Sequence, residues 1–294
     1  MAILVGQQLG GYQLLQLLGH RFFGDVYLAK HLDQERHFAL RILEIDVEGD
    51  YTERVFRHEA SVLACLDHPH IVKLLDFGVA ETHPFVVMPY LPGGTLRQRH
   101  PKGIQLSPAT IFAYLRQVAA ALQYGHDRNV VHRHLTPENI LIGPNDHLLL
   151  SDFGTAIWGL GPHWYSGPKI TTSGPYPTFL YAAPEQLNVD MDRYARDQDA
   201  NQSATDQYAL GVMLYEWLSG APPFAGTVVD VALKHLHNPP PPLHTAVPDP
   251  PPAAEEALLQ ALSKEPKLRF ASVLEFADAF EAAYRSHHGG NKHR

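Results

Sequence analysis

The most informative segment of this chain is Val131-His132-Arg133-His134-Leu135-Thr136-Pro137-Glu138-Asn139-Ile140-Leu141. A second segment follows it closely and reads Leu148-Leu149-Leu150-Ser151-Asp152-Phe153-Gly154. Asn139 and Asp152 carry an amide and a carboxylate oxygen, and both oxygens suit a hard cation that also binds phosphate. These two segments therefore contain the first candidates for functional side chains.

The composition narrows the class of protein. The apolar fraction of 45% is ample for a buried core, and the formal net charge of -8 argues against broad binding to nucleic acid or anionic membranes. Cys65 is the only cysteine, which excludes an intramolecular disulfide and suits a reducing cytoplasm. The N-terminus lacks the pattern of a signal peptide, and no stretch approaches the ~20 apolar residues that span a bilayer. We expect a soluble, cytoplasmic chain.

Hydrophobic periodicity divides the chain into a strand-rich first third and a helical remainder. Apolar runs predict strands at residues 14–18, 25–30, 37–43, 71–77 and 85–90, and helical spacing predicts one helix at residues 53–66. After Pro92-Gly93-Gly94 the pattern predicts helices at residues 108–124, 205–219, 255–262 and 273–284. Ser107 is placed to cap the first of these helices, with Pro108 at its first position.

The motifs of both parts, in their order along the chain, resemble those of the eukaryotic-like serine/threonine protein kinases found in bacteria. The resemblance extends from about residue 12 to residue 280. It implies an α+β, two-lobed protein kinase fold, with a small antiparallel-sheet N-lobe that carries one helix and a larger helical C-lobe. The N-lobe then spans residues 12–91, the C-lobe spans residues 92–284, and residues 285–294 form a disordered tail.

The same resemblance implies a binding site for ATP and Mg²⁺. Asn139 and Asp152 match the two magnesium ligands of the family. Asp76, which also precedes Phe-Gly, lies too early in the chain for that role and is expected in a turn. The loop that covers the phosphates has Phe23 at its tip. The positions implied to bind the nucleotide are Gly19, Arg21, Gly24, Val26, Ala39, Arg41, Glu59, Met88, Pro89 and Leu91.

Four positions depart from the family pattern, and all four lie where phosphate is bound or transferred. The catalytic aspartate, which accepts the proton of the substrate hydroxyl, is replaced by His134. The lysine two residues later is Thr136, the strand lysine is Arg41, and the second loop glycine is Arg21. Arginine is not a conservative replacement for lysine at a phosphate site, because its guanidinium is planar and bulkier. The candidate catalytic residues are therefore His134, Thr136 and Asn139.

Other matched positions are implied to hold the fold together. Glu59 matches the helix glutamate that pairs with the strand lysine. Asp206 matches a helix aspartate that holds the catalytic loop of the family, which residues 131–141 match. Arg269 matches the buried partner of Glu185, which closes the segment Ala183-Pro184-Glu185. The resemblance assigns these residues a structural role.

These features indicate a protein kinase domain with degenerate catalytic residues. The first hypothesis is a pseudokinase that acts as a signalling or interaction module for an unidentified protein partner and binds ATP. The alternative is a weakly active serine/threonine kinase that transfers the γ-phosphate of Mg-ATP to a protein substrate. A third reading is a fold that binds no nucleotide. Thr171, Thr172 and Ser173 are candidate phosphorylation sites, with Arg133 placed to contact such a phosphate.

Overall fold

The computed structural model describes residues 5–21, 24–44, 50–153, 177–187 and 202–290. Its N-terminal part is an antiparallel sheet with the strand order β1-β2-β3-β4-β6-β5. The strands are β1 (Gln8–Leu9), β2 (Tyr12–Arg21), β3 (Gly24–His31), β4 (His37–Leu43), β5 (Asp76–Ala80) and β6 (His83–Pro89). The chain leaves the sheet after β4 and returns at the edge, so that β6 lies between β4 and β5.

The two faces of β4 serve different cores. Successive side chains of a strand point to opposite faces. Phe38, Leu40 and Ile42 enter the core on the outer side of the sheet, whereas Ala39 and Leu43 join the larger core that continues into the helical part. Arg41 has the parity of Ala39 and Leu43, and its side chain is only 1% exposed. The strand register therefore buries a guanidinium on the side of the sheet that faces the helical lobe.

The helices lie almost entirely in the second part of the chain. Within the described residues they are α1 (Asp50–Ala64), α2 (Leu96–Arg99), α3 (Pro108–His126), α4 (Pro184–Leu187), α5 (Gln202–Ser219), α6 (Val228–His237), α7 (Pro252–Ala261) and α8 (Val273–Gly290). None of them has both the length and the apolar character needed to cross a membrane.

Helix α1 is the single helix of the N-lobe. It buries Phe56, Ala60 and Leu63 against the sheet, and the ring of Phe56 meets the ring of Phe77 edge-to-face at 6.5 Å. These buried positions follow the i, i+3, i+4 spacing of an amphipathic helix. The apolar stripe fixes which side of α1 faces the sheet.

The C-lobe is organised around helices α3 and α5. Ser107 caps α3 by accepting a hydrogen bond from the amide of Thr110 at 3.2 Å, as the sequence predicts. Residues 204–218 of α5 are buried all round, which is typical of a central helix in a large core. At the far side of the lobe, Arg116 of α3 donates to Glu281 of α8 at 2.7 Å. The fold is thus the two-lobed, α+β kinase architecture that the resemblance implied.

A small hairpin brings the two informative segments together. Strand β7 (Ile140–Ile142) pairs with β8 (Leu148–Leu150), so Asn139 lies directly before the first strand and Asp152 lies two residues after the second. The amide of Ser151 donates to the carbonyl of Asn139 at 2.8 Å and closes the open end of the hairpin. Two polar residues thirteen positions apart therefore share one end of a rigid ladder.

Three expectations about secondary structure differ from the structure. Asp76, expected in a turn, is the first residue of strand β5 and pairs with Val87. The predicted strand at residues 71–77 is displaced to β5, because residues 71–72 instead contact the C-lobe, where the amide of Val72 donates to Leu150 O at 2.9 Å. The predicted disordered tail at residues 285–294 begins too early, since α8 continues to Gly290. An i, i+4 ion pair between Glu281 and Arg285 at 2.6 Å supports the extra turn.

One buried histidine makes the stability of the fold depend on pH. The His235 Nδ1 atom lies 2.9 Å from Tyr208 Oη and its Nε2 atom 3.1 Å from Leu180 O. Burial, assisted by the charge of Lys264, lowers the pKa of His235 to about 4. A histidine in the unfolded chain titrates near about 6.5, so the unfolded state gains the proton first as the pH falls.

We expect the free energy of unfolding to decrease by about 2 kcal/mol between pH 7.5 and pH 5 through His235 alone. Urea titrations of the native chain and of His235→Gln at both pH values measure this difference, because glutamine offers one donor and one acceptor without a proton to gain. The slope against pH should be shallower in His235→Gln. Equal slopes in both proteins would contradict the assignment.

Candidate active site

Asp206 of helix α5 holds the loop that precedes β7. Its carboxylate accepts hydrogen bonds from the backbone amides of His132 at 2.8 Å and Arg133 at 2.7 Å, and it lies 2.8 Å from the Nε2 atom of His126. Burial alone would raise the pKa of Asp206, but the hydrogen bond and charge of His126, followed by the interactions with His132, hold it below its usual value. The loop is therefore fastened to the core of the C-lobe, in the role that the resemblance implied for Asp206.

The loop fixes two residues in unusual backbone conformations. Arg133 and Asp152 have φ values of 63° and 65°, in the left-handed region that few non-glycine residues adopt. The bond from Arg133 N to Asp206 maintains the first of these. The imidazole of His132 lies 2.9 Å from Ser151 O and packs against the ring of Phe153 at 4.8 Å. These two contacts flank Asp152, the second residue with a positive φ. Strain of this kind persists only where the surroundings enforce it.

His134 is half-buried and makes a defined contact with Asn139. The Asn139 Nδ2 atom lies 2.9 Å from the carbonyl oxygen of His134 and 3.0 Å from its Nδ1 atom. The carbonyl contact requires Nδ2 to be the amide nitrogen, which donates one hydrogen to the carbonyl and directs the other at Nδ1. His134 Nδ1 therefore acts as an acceptor, and the proton of the neutral ring lies on Nε2.

The imidazole of His134 is neutral in the folded chain. Burial lowers its pKa to about 3, against the opposing charge of Asp152, and the positive charges of Arg41 and Arg21 act in the same direction as burial. The ring thus presents one nitrogen that already accepts a hydrogen bond and one that carries a hydrogen. Neither nitrogen is a free acceptor for a substrate proton.

Arg41 and Asp152 form a buried ion pair across the two lobes. The Nη1 atom of Arg41 contacts the Oδ1 atom of Asp152, whose side chain is 9% exposed. Burial would raise the pKa of Asp152, but the charge of Arg41, assisted by Arg21, holds it below the usual value. The Nε, Nη1 and Nη2 atoms of Arg41 have no hydrogen-bond partner of acceptable geometry among the described residues. The guanidinium is therefore paired in charge but not saturated in hydrogen bonds.

Glu59 does not take part in that pair. It lies half-buried on α1, and burial raises its pKa although the charges of His58 and Arg133 act in the opposite direction. No ion pair joins Glu59 to Arg41 in the described part of the chain, where the guanidinium faces Asp152 instead. The structure thus separates two residues that the resemblance implied as partners.

The hairpin between β2 and β3 carries Arg21 near its end, and the charge of Arg21 acts on Asp152 and His134 across the cleft between the two lobes. Arg21 pairs directly with Gly24 at the end of the two strands. Gly24 has a φ of 125°, and a Cβ atom there would meet the carbonyl oxygen of Ile42 at 1.8 Å, so only glycine fits. A Cβ atom on Gly19 would meet nothing within 4 Å. Phe23 lies outside the described residues.

The positions where the resemblance implies an adenine site are apolar and belong to the core or pack against it. Ala39 of β4 pairs with Met88 of β6, and both side chains belong to the core that joins the lobes. Val26 and Leu91 pack against the same core, and Pro89 ends β6 opposite Phe38. These positions form a continuous strip from the sheet to the connection between the lobes.

Thr136 has a structural position. Its side chain is buried at the start of a 3-10 turn, Pro137–Asn139, and its carbonyl accepts the amide of Asn139 at 3.0 Å. It brings no charge to the cleft, where the family pattern has a lysine. The candidate phosphorylation sites Thr171, Thr172 and Ser173 lie outside the described residues.

A second ion pair joins the fully buried guanidinium of Arg269 to the half-buried Glu185 of the segment Ala183-Pro184-Glu185. Arg269 donates to both carboxylate oxygens of Glu185, from Nη1 at 2.7 Å and from Nη2 at 2.8 Å. Bidentate pairs of this kind combine charge with fixed geometry. This arrangement is the one that the resemblance implied for the two residues.

A further charged cluster was not predicted from the sequence. Arg97 of α2 contacts Glu138 at 3.1 Å and Glu216 at 2.8 Å, and Tyr181 Oη donates to the same Glu216 carboxylate at 2.5 Å. The available signal was Glu216 itself, a lone acid within the apolar run of α5, because a buried charge requires a partner. The cluster joins α2, the catalytic loop and α5.

Comparison with known proteins identifies the fold and the family together. The family model described as the protein kinase domain matches residues 12–277. The chain belongs to the protein kinase family. It superimposes on the crystal structure of the PknI kinase domain of Mycobacterium tuberculosis with a TM-score of 0.69 and 30% identity, covering 96% of this chain and 100% of the other.

The curated relatives of this kinase domain are longer proteins. Serine/threonine-protein kinase PknF of Mycobacterium tuberculosis is 34% identical over 291 residues, which cover 95% of this chain and 57% of PknF. Serine/threonine-protein kinase PrkC of Bacillus subtilis is 32% identical over 286 residues, which cover 96% of this chain and 42% of PrkC. The chain thus spans about half the length of the curated relatives that it matches.

The arrangement of charges in this kinase domain does not fit Mg²⁺. Protein kinases use ATP with magnesium ions held by an aspartate and an asparagine, and they require the strand lysine to pair with the helix glutamate. Here Asp152 keeps its oxygen donors, but its charge is already matched by Arg41. The contacts of Asn139 with His134 are made by Nδ2 and do not involve its amide oxygen. A divalent cation bound to Asp152 would be repelled by the buried guanidinium of Arg41, which contacts the same carboxylate.

Proposed function

We propose that this kinase domain does not transfer phosphate and acts as a nucleotide-binding interaction module, that is, as a pseudokinase. The observation that supports this most strongly is the contact between Asn139 and His134. It assigns the ring proton to Nε2 and makes Nδ1 an acceptor for Asn139, at the position where the family pattern has an aspartate. A catalytic base must accept a proton from the substrate hydroxyl, and this ring has no nitrogen left for it.

The replacement of the family's lysine by Thr136 also argues against phosphate transfer. Phosphoryl transfer depends mainly on positioning and on neutralising charge in the transition state. Thr136 is buried and uncharged, so the cationic group that would stabilise the transferring phosphoryl is absent from that position. The loss of one preorganised charge at such a site is typically worth about 3–4 kcal/mol of transition-state stabilisation.

The second candidate function is a weakly active serine/threonine kinase. The scaffold of the catalytic loop favours it, because Asp206 holds the loop and Arg269 holds Glu185 as an active domain would need. The curated relatives are named serine/threonine-protein kinases. This candidate requires another group, such as a water molecule, to accept the proton of the substrate hydroxyl.

The test is transfer of radiolabelled γ-phosphate from Mg-ATP and from Mn-ATP to the chain itself and to a basic protein substrate. Asp152→Asn supplies the blank, and its melting curve confirms that it is folded. Under the proposed function, the native chain gives no more signal than Asp152→Asn. Signal from the native chain clearly above that blank would establish the weakly active kinase instead.

A pseudokinase works through a partner, and the proposed partner is a protein that recognises the conformation of the domain. Binding of this kind does not depend on phosphoryl transfer. A partner complex that survives in Asp152→Asn would therefore support the interaction module, and its loss together with phosphate transfer would support the enzyme.

A further inference from the structure

Arg41 carries a buried guanidinium on the side of the sheet that faces the cleft. Strand register places it on the cleft side of β4, where it is 1% exposed, and none of its nitrogen atoms has a hydrogen-bond partner of acceptable geometry among the described residues. Asp152 matches its charge through one contact. Buried donors without acceptors are destabilising, and a bidentate acceptor such as phosphate suits the planar fork of a guanidinium.

A second guanidinium stands at the same cleft. Arg21 ends β2 opposite Gly24, on the hairpin next to β4. Arg21 and Arg41 together bring two positive charges to this cleft, which contains the carboxylate of Asp152. The charges of Arg41 and Asp152 offset each other, so Arg21 leaves this group of three side chains with an excess of positive charge.

These charges resemble those that a kinase obtains from its metal ions. In the family, magnesium bridges the phosphate oxygens of ATP and neutralises their charge, and an aspartate anchors the ion. Here the carboxylate of Asp152 already faces a cation that belongs to the protein. The positive charge that faces the phosphates is then supplied by side chains and does not have to be recruited from solution.

We propose that the cleft binds a nucleoside triphosphate without a divalent metal, with Arg41 and Arg21 as the cations that face the phosphate oxygens. The inference rests on the proposed function in one respect, since the nucleotide is bound and not consumed. The apolar strip formed by Val26, Ala39 and Met88 receives the base. The ion pair between Arg41 and Asp152 orients the guanidinium toward the phosphates.

Titration calorimetry of the purified chain with ATP tests this directly, in excess EDTA and in excess MgCl₂ at matched ionic strength. The dissociation constant in EDTA should lie within about threefold of the value in MgCl₂. Adenosine, which lacks the phosphates, should bind at least about tenfold more weakly, because charge-assisted hydrogen bonds to phosphate are lost. An affinity for ATP at least tenfold higher with Mg²⁺ would overturn the proposal, and so would no binding of ATP in either buffer.

Two variants and a matched control assign the effect to the two arginines. Arg21→Gln should weaken the binding of ATP in EDTA about tenfold and leave the binding of adenosine unchanged. Arg41→Lys should make binding dependent on Mg²⁺, because it frees the carboxylate of Asp152 for the metal. Arg36→Gln, an exposed arginine beyond the opposite end of β4, should behave as the native chain. Native ATP affinity in EDTA for Arg21→Gln, together with metal-independent binding by Arg41→Lys, would contradict the assignment.

This experiment is separable from the test of the proposed function. Phosphate transfer by a native chain that also binds ATP in EDTA would overturn the pseudokinase assignment and support metal-independent binding. A native chain that transfers no phosphate but requires Mg²⁺ to bind ATP would support the pseudokinase assignment and overturn metal-independent binding.

Discussion

Replacing Asp206 with alanine is expected to lower the free energy of unfolding by about 3–5 kcal/mol. The carboxylate is fully buried and accepts hydrogen bonds from the backbone amides of His132 and Arg133. Each buried donor left without an acceptor costs about 1–3 kcal/mol. The left-handed conformation of Arg133 also loses the bond that maintains it.

Urea unfolding at neutral pH measures this effect, with Asp67→Ala as the matched control. The side chain of Asp67 is 86% exposed and lies 3.7 Å from Lys73 in a surface ion pair, so its loss should change the stability by about 0.5 kcal/mol or less. A loss below about 1 kcal/mol in Asp206→Ala would show that the catalytic loop is held by other contacts.

Restoring the family residues is expected to restore catalysis. The triple variant His134→Asp, Thr136→Lys, Arg41→Lys should transfer γ-phosphate at least about 100-fold faster than the native chain, because a positioned general base alone contributes about 10²–10⁴-fold. His134→Asp supplies an acceptor, Thr136→Lys supplies the charge, and Arg41→Lys releases Asp152 from its guanidinium partner.

The same triple variant carrying Asp152→Asn is the control, and it should return to the level of the blank. Equal transfer by the native chain and the triple variant, both above the blank, would contradict the role assigned to His134. If the triple variant binds ATP but transfers no phosphate, then the scaffold, and not the replaced side chains, prevents transfer.

The sequence predicted the scaffold of the site because scaffold residues are recognised by local motifs. Asp206, Glu185 and Arg269 lie in segments whose order and spacing match the family, and their partners are the expected ones. The cap at Ser107 follows from the chemistry of helix termini alone. Such features depend on a few neighbouring residues, and a single sequence contains them.

The partner of Arg41 could not be predicted in the same way. Strand parity shows that Arg41 points toward the cleft, but the choice between Glu59 and Asp152 depends on how α1 sits relative to β4 and the β7–β8 hairpin. That choice arises from packing across both lobes. The family pattern favoured Glu59, whereas the larger guanidinium of Arg41 meets Asp152.

The state of His134 also required the structure. From the sequence alone, a histidine with a pKa near 6.5 remained a possible replacement base. The contact with Asn139 assigns the ring proton to Nε2, and burial lowers the pKa to about 3. The extension of α8 to Gly290 escaped prediction for a simpler reason, since His287-His288-Gly289-Gly290 has weak helix propensity by itself.

The tautomer of His134 is the most direct test of the central claim, which is that the catalytic loop presents no base. Long-range ¹H–¹⁵N NMR correlation spectra of the histidine side chains at pH 7 report the protonation of each ring nitrogen, and His134→Gln identifies the signals by their loss. We predict a neutral ring with the proton on Nε2 and an unprotonated, hydrogen-bonded Nδ1. An unprotonated Nε2, or a ring that is positively charged at pH 7, would contradict this account.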